Sequence, residues 1–148
     1  MSTASISWVD GMQFVAESGS GHALVVDSSR ENGGHDAGAR PMELLLMGLL
    51  GCTAMDVVSI LKKKRQPIQD LKIFATAEQA PETPHYFTKI HLEYVAYGDV
   101  SEEALARSIF LSEDRYCSAA ATLKGKAEIT SSYRVERSQA GEPSATTA

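Results

Sequence analysis

Two cysteines, Cys52 and Cys117, are the residues of this 148-residue chain whose type and surroundings could support chemistry. Cys52 lies in an apolar segment with Gly48 and Gly51 within one turn of it, so a substrate or another helix could approach the backbone closely. Cys117 stands where a short helix is predicted to begin, and the N–H groups of a helix start favour a thiolate, the nucleophilic form of cysteine. On spacing and composition alone, Cys52 could instead be a small core hydrophobe and Cys117 an ordinary helix-start residue.

Spacings typical of other reactive sites do not occur in the sequence. It has no Cys-x-x-Cys or His-x-x-x-His pair, no nucleophile-elbow serine motif and no glycine-rich phosphate loop. His85 and His91 would lie ~20 Å apart along one strand, too far for a shared ion. We therefore expect neither a metal nor a cofactor. The chain also opens without the basic start and apolar run of a signal peptide, which predicts a cytoplasmic protein with free thiols.

The segment that must position the first cysteine runs from Pro41 to Arg65 and is predicted to be a helix. Pro41 suits the first helical position, and Pro67 stops the helix after its basic end. Its apolar residues occur on every side rather than in one stripe, which predicts a helix surrounded by protein. A membrane span is the alternative. Because Asp56 falls inside the run and the flanking segments alternate like soluble strands, we expect no membrane association.

Alternating apolar and polar residues predict three strands before this helix and three after it. They cover roughly residues 6–8, 12–16, 22–27, 71–77, 86–96 and 127–135. The dipeptide Asp10-Gly11 favours a hairpin turn, so the first three strands should form a meander. The segment Ser28–Ala39 is polar and glycine-rich and leads directly into the helix, which is a usual place for residues that act on a site. A solvated connector is the simpler interpretation.

Two further helices are predicted. The first has Ser101 as its N-cap and buries one apolar face. That face consists of Leu105, Ile109 and Phe110. The second begins near Cys117 and ends before Gly125. We predict one domain over residues 1–136 and a disordered tail, small and polar in composition, over residues 137–148.

Composition limits the classes of partner. The chain is 43% apolar and 22% charged with a formal net charge of −5, which is typical of a soluble globular protein. Basic residues cluster only at Lys62–Arg65, where the C-terminal end of a helix explains them. We therefore expect no nucleic acid partner.

Several of these features together resemble one protein superfamily. They are Pro41-x-Glu43-Leu44, the glycine-rich helix with Cys52, the helix start Tyr116-Cys117-Ser118 and the final strand. They resemble osmotically induced protein C (OsmC) and organic hydroperoxide resistance protein (Ohr), and most of all the YhfA-like branch, over roughly Ser5 to Val135. The resemblance implies an α+β, OsmC-like fold in which antiparallel sheets pack around a long central helix. It also implies that two chains interlock as a homodimer.

The same resemblance implies a thiol peroxidase that reduces organic hydroperoxides. Cys52 would attack the peroxide and become a sulfenic acid, and Cys117 would resolve it to a disulfide that a dithiol reductant later opens. This chemistry uses neither metal nor flavin. The second hypothesis is a non-catalytic member of the same fold that binds a small apolar ligand or holds reactive thiols.

The resemblance also implies an acid and an arginine that activate the first cysteine. Members of the superfamily place a glutamate ten residues before that cysteine, where this chain has Met42; the neighbouring acid is Glu43. The arginine comes from the segment before the helix, where this chain offers Arg30 and Arg40. We take Glu43, Arg40 and Arg30 as candidate site residues.

Overall fold

The structure is a computed structural model that describes residues 1–137. Within that range the chain is mixed α+β, with six strands in two three-stranded sheets and three α-helices. It divides into two compact units, the first ending at Met47 and the second beginning at Gly48. The predicted α+β class is confirmed. The tail predicted for residues 137–148 lies, from residue 138 onward, outside the described residues, and the single domain stays a prediction.

The first unit is built on an antiparallel meander, as the sequence predicted. Its strands are β1 (Ala4–Asp10), β2 (Gln13–Ser18) and β3 (Ala23–Val26), paired in that order. The turn after β1 uses Gly11, whose φ of 55° lies in the left-handed region that glycine adopts without strain. The Asp10 carboxylate accepts the Gly11 N–H at 2.9 Å, which holds this turn in place.

A buried carboxylate orders the glycine-rich loop that follows β3. Asp27 is 2% exposed and accepts the backbone N–H groups of Ser28, His35 and Ala37 at 2.7, 3.1 and 3.1 Å. Burial alone raises the pKa of Asp27, but the three N–H donors outweigh burial and hold the pKa below its ordinary value. The loop is therefore tied to one side chain at both ends.

Helix α1 (Pro41–Lys63) begins in the first unit and continues into the second. Only one stripe of it is buried, in contrast to the all-round burial predicted from its sequence. That stripe consists of Leu49, Thr53, Val57 and Leu61. Met47 and Met55 are 56% and 75% exposed, so one chain alone does not surround the helix. By length and composition α1 could cross a membrane, a test that the core helix of a soluble protein also passes.

The second unit contains a mixed sheet. Strands β4 (Ile68–Gln79) and β5 (Phe87–Gly98) are antiparallel, as predicted, whereas β6 (Glu128–Glu136) pairs with β5 in parallel. The expectation of purely antiparallel sheets is therefore wrong at this edge. The pairing is parallel because α2 (Glu102–Leu111) and α3 (Ser118–Leu123) carry the chain back to the start of β5 before β6 begins. Strand β5 lies between its two neighbours and is the most buried strand of this sheet.

Helix α2 begins as the sequence predicted. The Ser101 side chain accepts a backbone N–H of the first turn at 3.3 Å, and Leu105 and Ile109 are buried. Phe110 was predicted to be buried but is 53% exposed, because it follows Ile109 directly and so points about 100° away from the buried face. A π-helical turn, Ser112–Tyr116, extends the helix toward Cys117 and was not predicted.

Candidate active site

The second unit brings the two cysteines together. Cys52 lies half-buried on α1, and Cys117, 3% exposed, is the residue that caps the start of α3. Their Sγ atoms lie within 4.8 Å of each other, and both are free thiols. The two side chains, whose joint action only the resemblance implies, are therefore neighbours in the fold, and they differ in their access to solvent.

Cys117 is held by backbone groups on both sides. Its Sγ accepts the N–H of Ala120 at 3.3 Å, and its own N–H donates to the carbonyl oxygen of Ser112 at 2.8 Å. Burial raises the pKa of Cys117 to about 11, an effect that the Ala120 N–H opposes and that Cys52 and Asp56 reinforce. The predicted N–H group at the helix start is present, but burial outweighs the preference for a thiolate.

A carboxylate that the sequence analysis did not assign to the site stands beside both thiols. Asp56 lies one helical turn after Cys52 on α1, and one of its oxygens is within 4.8 Å of both sulfur atoms. Its Oδ2 accepts the hydroxyl of Ser112 at 2.9 Å, which fixes the carboxylate. A spacing of four residues places two side chains on the same face of a helix, and this is the sequence signal that could have identified Asp56.

Three hydroxyl groups continue from Asp56 into the protein. The Ser112 Oγ contacts Thr53 Oγ1 at 2.9 Å, Thr53 Oγ1 contacts Tyr94 OH at 2.8 Å, and Tyr94 OH donates to Glu113 Oε1 at 3.4 Å. Thr53, Tyr94 and Ser112 have no exposed surface, and Glu113 is half-buried. Burial raises the pKa of both Tyr94 and Glu113. Within residues 1–137 no buried side-chain oxygen or nitrogen lacks a hydrogen-bond partner.

The predicted activating residues lie in the first unit, where Glu43 and Arg40 have local partners. Glu43 Oε2 accepts the backbone N–H of Arg40 at 2.9 Å, the contact that an acid makes in the first turn of a helix. The Arg40 guanidinium pairs with Asp36 and donates to the carbonyl oxygen of Gly38 at 2.9 Å. Arg30 is exposed and begins a short 3-10 turn. A role for these residues at Cys52 stays a prediction.

The histidines considered for a metal site each contact nearby strand or turn residues. The His91 ring is hydrogen-bonded to Thr130 and Ser132 of β6 at 2.8 and 3.0 Å. His85 Nδ1 lies 2.8 Å from the carbonyl oxygen of Ala80. His91 therefore bonds to the neighbouring strand of the second sheet, and His85 bonds within the turn between β4 and β5.

Comparison with known proteins identifies the family. A family model described as OsmC-like protein matches residues 33–132, about two thirds of the chain. The chain belongs to the OsmC-like family. Protein YhfA of Escherichia coli K12, to which the chain is similar, is 43% identical over 133 residues, which is 89% of this chain and 96% of YhfA. The resemblance inferred from the cysteine motifs is thereby confirmed.

Solved structures agree with this assignment to the OsmC-like family. A hypothetical protein from Aquifex aeolicus is 31% identical, with a TM-score of 0.83 and coverage of 94% of this chain and 98% of its own. An organic hydroperoxide resistance protein OsmC from Legionella pneumophila is 15% identical, with a TM-score of 0.70 and coverage of 91% and 97%. The second likeness shows the fold alone. Both place this chain in the OsmC-like fold.

Proposed function

We propose that this OsmC-like protein is a cysteine-based thiol peroxidase that reduces organic hydroperoxides in defence against oxidative stress. The observation that carries the proposal is the pair of free thiols within 4.8 Å of each other, one half-buried and one buried. Structural neighbours from Legionella pneumophila and Elizabethkingia anophelis are named organic hydroperoxide resistance proteins, which supports this class of substrate.

The reaction has two chemical steps at sulfur and needs no cofactor. Cys52 Sγ attacks one peroxide oxygen, the O–O bond breaks, and the organic part leaves as an alcohol once it has taken up a proton. Cys52 is then a sulfenic acid. Cys117 Sγ attacks it, the S–O bond breaks, and water and a disulfide are formed. The sulfur atoms, now within 4.8 Å, must close to about 2 Å for this bond. A dithiol reductant restores both thiols.

The surroundings of the two cysteines support this order. Cys52 is the more exposed thiol and is the one that a peroxide reaches from solvent. Cys117 is 3% exposed, and with its pKa raised to about 11 it is protonated at neutral pH. Cys117 therefore reacts only when an oxidised sulfur is formed beside it. As activating groups for Cys52 we propose Arg40 or Arg30, oriented by Glu43, on the strength of the resemblance.

A second copy of the chain belongs to this proposal. Three apolar side chains of α1 are exposed in one chain: Leu45 at 48%, Met47 at 56% and Met55 at 75%. A helix that is apolar on every side is normally covered by protein. We propose that α1 of a second copy covers them in a homodimer. We further propose that the protein acts in the cytoplasm, without nucleic acid or membrane partners.

Three proteins test the peroxidase proposal: wild type, Cys52→Ser and Cys117→Ser. With one equivalent of cumene hydroperoxide, wild type should form a Cys52–Cys117 disulfide. Cys117→Ser should stop at a Cys52 sulfenic acid that dimedone labels and excess peroxide drives to sulfinic acid, and Cys52→Ser should consume no peroxide. Mass spectrometry identifies each product.

Two outcomes of this experiment would contradict the proposal. Dimedone label on Cys117 in the Cys52→Ser protein would reverse the two roles. If wild type turns over no cumene hydroperoxide with dithiothreitol and neither cysteine is oxidised, the protein is instead a non-catalytic member that binds a small apolar ligand or holds reactive thiols.

A further inference from the structure

Asp56 carries a carboxyl group close to the reacting sulfurs that the proposed reaction has not yet used. Its carboxylate lies within 4.8 Å of both Sγ atoms, and Ser112 holds it there through a 2.9 Å hydrogen bond. An anion in this position does not favour a thiolate, because like charges repel. It can, however, accept a proton from a thiol at the moment when that sulfur forms a new bond.

The hydroxyl groups behind Asp56 form a chain with room for one more proton. Four contacts run from Asp56 through Ser112, Thr53 and Tyr94 to Glu113. Each hydroxyl carries one hydrogen, so three hydrogens serve four contacts while both carboxylates are ionised. One proton on either carboxylate completes all four contacts.

The chain also connects the thiols to the edge of the protein. Its three hydroxyl residues are fully buried, so a proton within it is shielded from water. Glu113 at the far end is half-buried, and its Oε2 accepts the hydroxyl of the exposed Ser131 at 3.3 Å. A proton received at Asp56 can move to Glu113 if each hydroxyl passes its own hydrogen to the next oxygen. With the proton on Asp56 every hydroxyl donates toward Glu113, and with the proton on Glu113 every hydroxyl donates toward Asp56.

We propose that Asp56 accepts the proton that Cys117 loses when it attacks the Cys52 sulfenic acid, and that the chain through Ser112, Thr53 and Tyr94 shares this proton with Glu113. This assignment rests on the proposed function. The S–S bond forms as the S–O bond breaks. The chain holds the proton only until the departing oxygen takes it from Asp56 and leaves as water. Cys117 sulfur is oxidised and Cys52 sulfur is reduced, so no further reagent takes part.

The test separates the two chemical steps in full-length Asp56→Asn. After one equivalent of cumene hydroperoxide, dimedone labelling follows the Cys52 sulfenic acid and mass spectrometry follows the disulfide. The sulfenic acid should form at the wild-type rate, whereas the disulfide should form ~100-fold more slowly, the scale of general base catalysis. Sulfenic acid should thus accumulate although Cys117 is present. A chelator is included throughout, since two thiols and a carboxylate this close can bind trace divalent cations.

Three variants distinguish proton transfer from a structural effect. Asp114→Asn is the matched control, since Asp114 is exposed, pairs with Arg115 and should leave both rates unchanged. Asp56→Glu should recover part of the disulfide rate. Thr53→Val cuts the chain but keeps the Asp56–Ser112 bond, and should slow disulfide formation less than Asp56→Asn does. The role of Asp56 is overturned if Asp56→Asn forms the disulfide at the wild-type rate or slows both steps equally. The role of the chain is overturned if Thr53→Val forms the disulfide at the wild-type rate.

A second oxidant keeps this test independent of the peroxidase proposal. Diamide, an azo compound, adds one thiol across its N=N bond, and a second thiol then displaces the hydrazide to give a disulfide. This displacement requires the same proton loss from Cys117. If wild type fails with peroxide but Asp56→Asn slows the diamide reaction, the proposed function fails and the role of Asp56 stands. Equal diamide rates in both proteins overturn that role.

Discussion

Replacing Thr53 by valine removes the hydroxyl group at the middle of the buried chain and little else. Threonine and valine have nearly the same shape, so the substitution leaves no cavity. Two contacts of Thr53 Oγ1 are lost, with Tyr94 OH at 2.8 Å and with Ser112 Oγ at 2.9 Å, and the single hydrogen of Thr53 serves one of them. That hydrogen bond is worth ~1 kcal/mol net, and Tyr94 and Ser112 keep their hydrogen bonds to the two carboxylates, so neither is left unpaired. We expect the free energy of unfolding to fall by about 1 kcal/mol.

Urea unfolding, monitored by circular dichroism at one fixed protein concentration, measures the loss in the free energy of unfolding of Thr53→Val. In thermal unfolding the melting temperature should fall by about 2–4 °C, the shift that 1 kcal/mol causes in a chain of this size. Tyr94→Phe removes one of the same two contacts, so the double variant should lose less stability than the sum of the single variants. Thr122→Val is the control, because its exposed hydroxyl bonds only the carbonyl oxygen of Ser118.

Two results would refute this account of the buried chain. One is a loss below about 0.5 kcal/mol in Thr53→Val, which is the scale of an ordinary surface substitution. The other is strict additivity with Tyr94→Phe, since residues that share a hydrogen bond are coupled. Either result would mean that the hydroxyl groups do not form one connected chain.

Two further predictions concern the loop carboxylate and the dimer. The depressed pKa of Asp27 contributes stability above its unfolded value of about 3.9, and that contribution is lost as pH falls through the lower folded value. Asp27→Asn should therefore unfold at a lower urea concentration than wild type at pH 7. The difference between the two urea midpoints should narrow below pH ~4, and a difference that stays constant with pH would contradict this. Met55→Asp should weaken self-association by ~100-fold or more in equilibrium sedimentation. The substitution removes one Met55 from each copy, and burying each methionine contributes about 1.5–3 kcal/mol to the free energy of association. Gln69→Asp, at an exposed site on β4, is its control, and a monomeric wild type at micromolar concentration would refute the dimer.

Local signals in the sequence were sufficient for most of the secondary structure. Pro41 and Pro67 bound the long helix because of what proline does to its own backbone and to the preceding residue. Asp10-Gly11 and Ser101 act within a few residues of themselves, and the turn and the helix start that they predicted are present. The two cysteine motifs were specific enough to identify the family.

The composition of the site was decided by contacts between residues far apart in the chain. Asp56 shares a helix face with Cys52 through their four-residue spacing, but nothing local shows that Ser112, 56 positions later, bonds to it. Thr53 and Tyr94, 41 positions apart, look like ordinary helix and strand residues until α1 packs against β5. The π-helical turn that presents Ser112 and Glu113 carries no recognised sequence signal.

Local signals define the set of elements and the two thiols, because proline, glycine, capping residues and apolar periodicity act over a few neighbouring residues. Three other properties follow from tertiary contacts. These contacts pair β6 in parallel with β5, bury Cys117 and so raise its pKa, and join Asp56 to Glu113 through three hydroxyl groups. Burial and hydrogen bonding depend on which side chains meet in space, and that meeting is set by packing rather than by the order of residues along the chain.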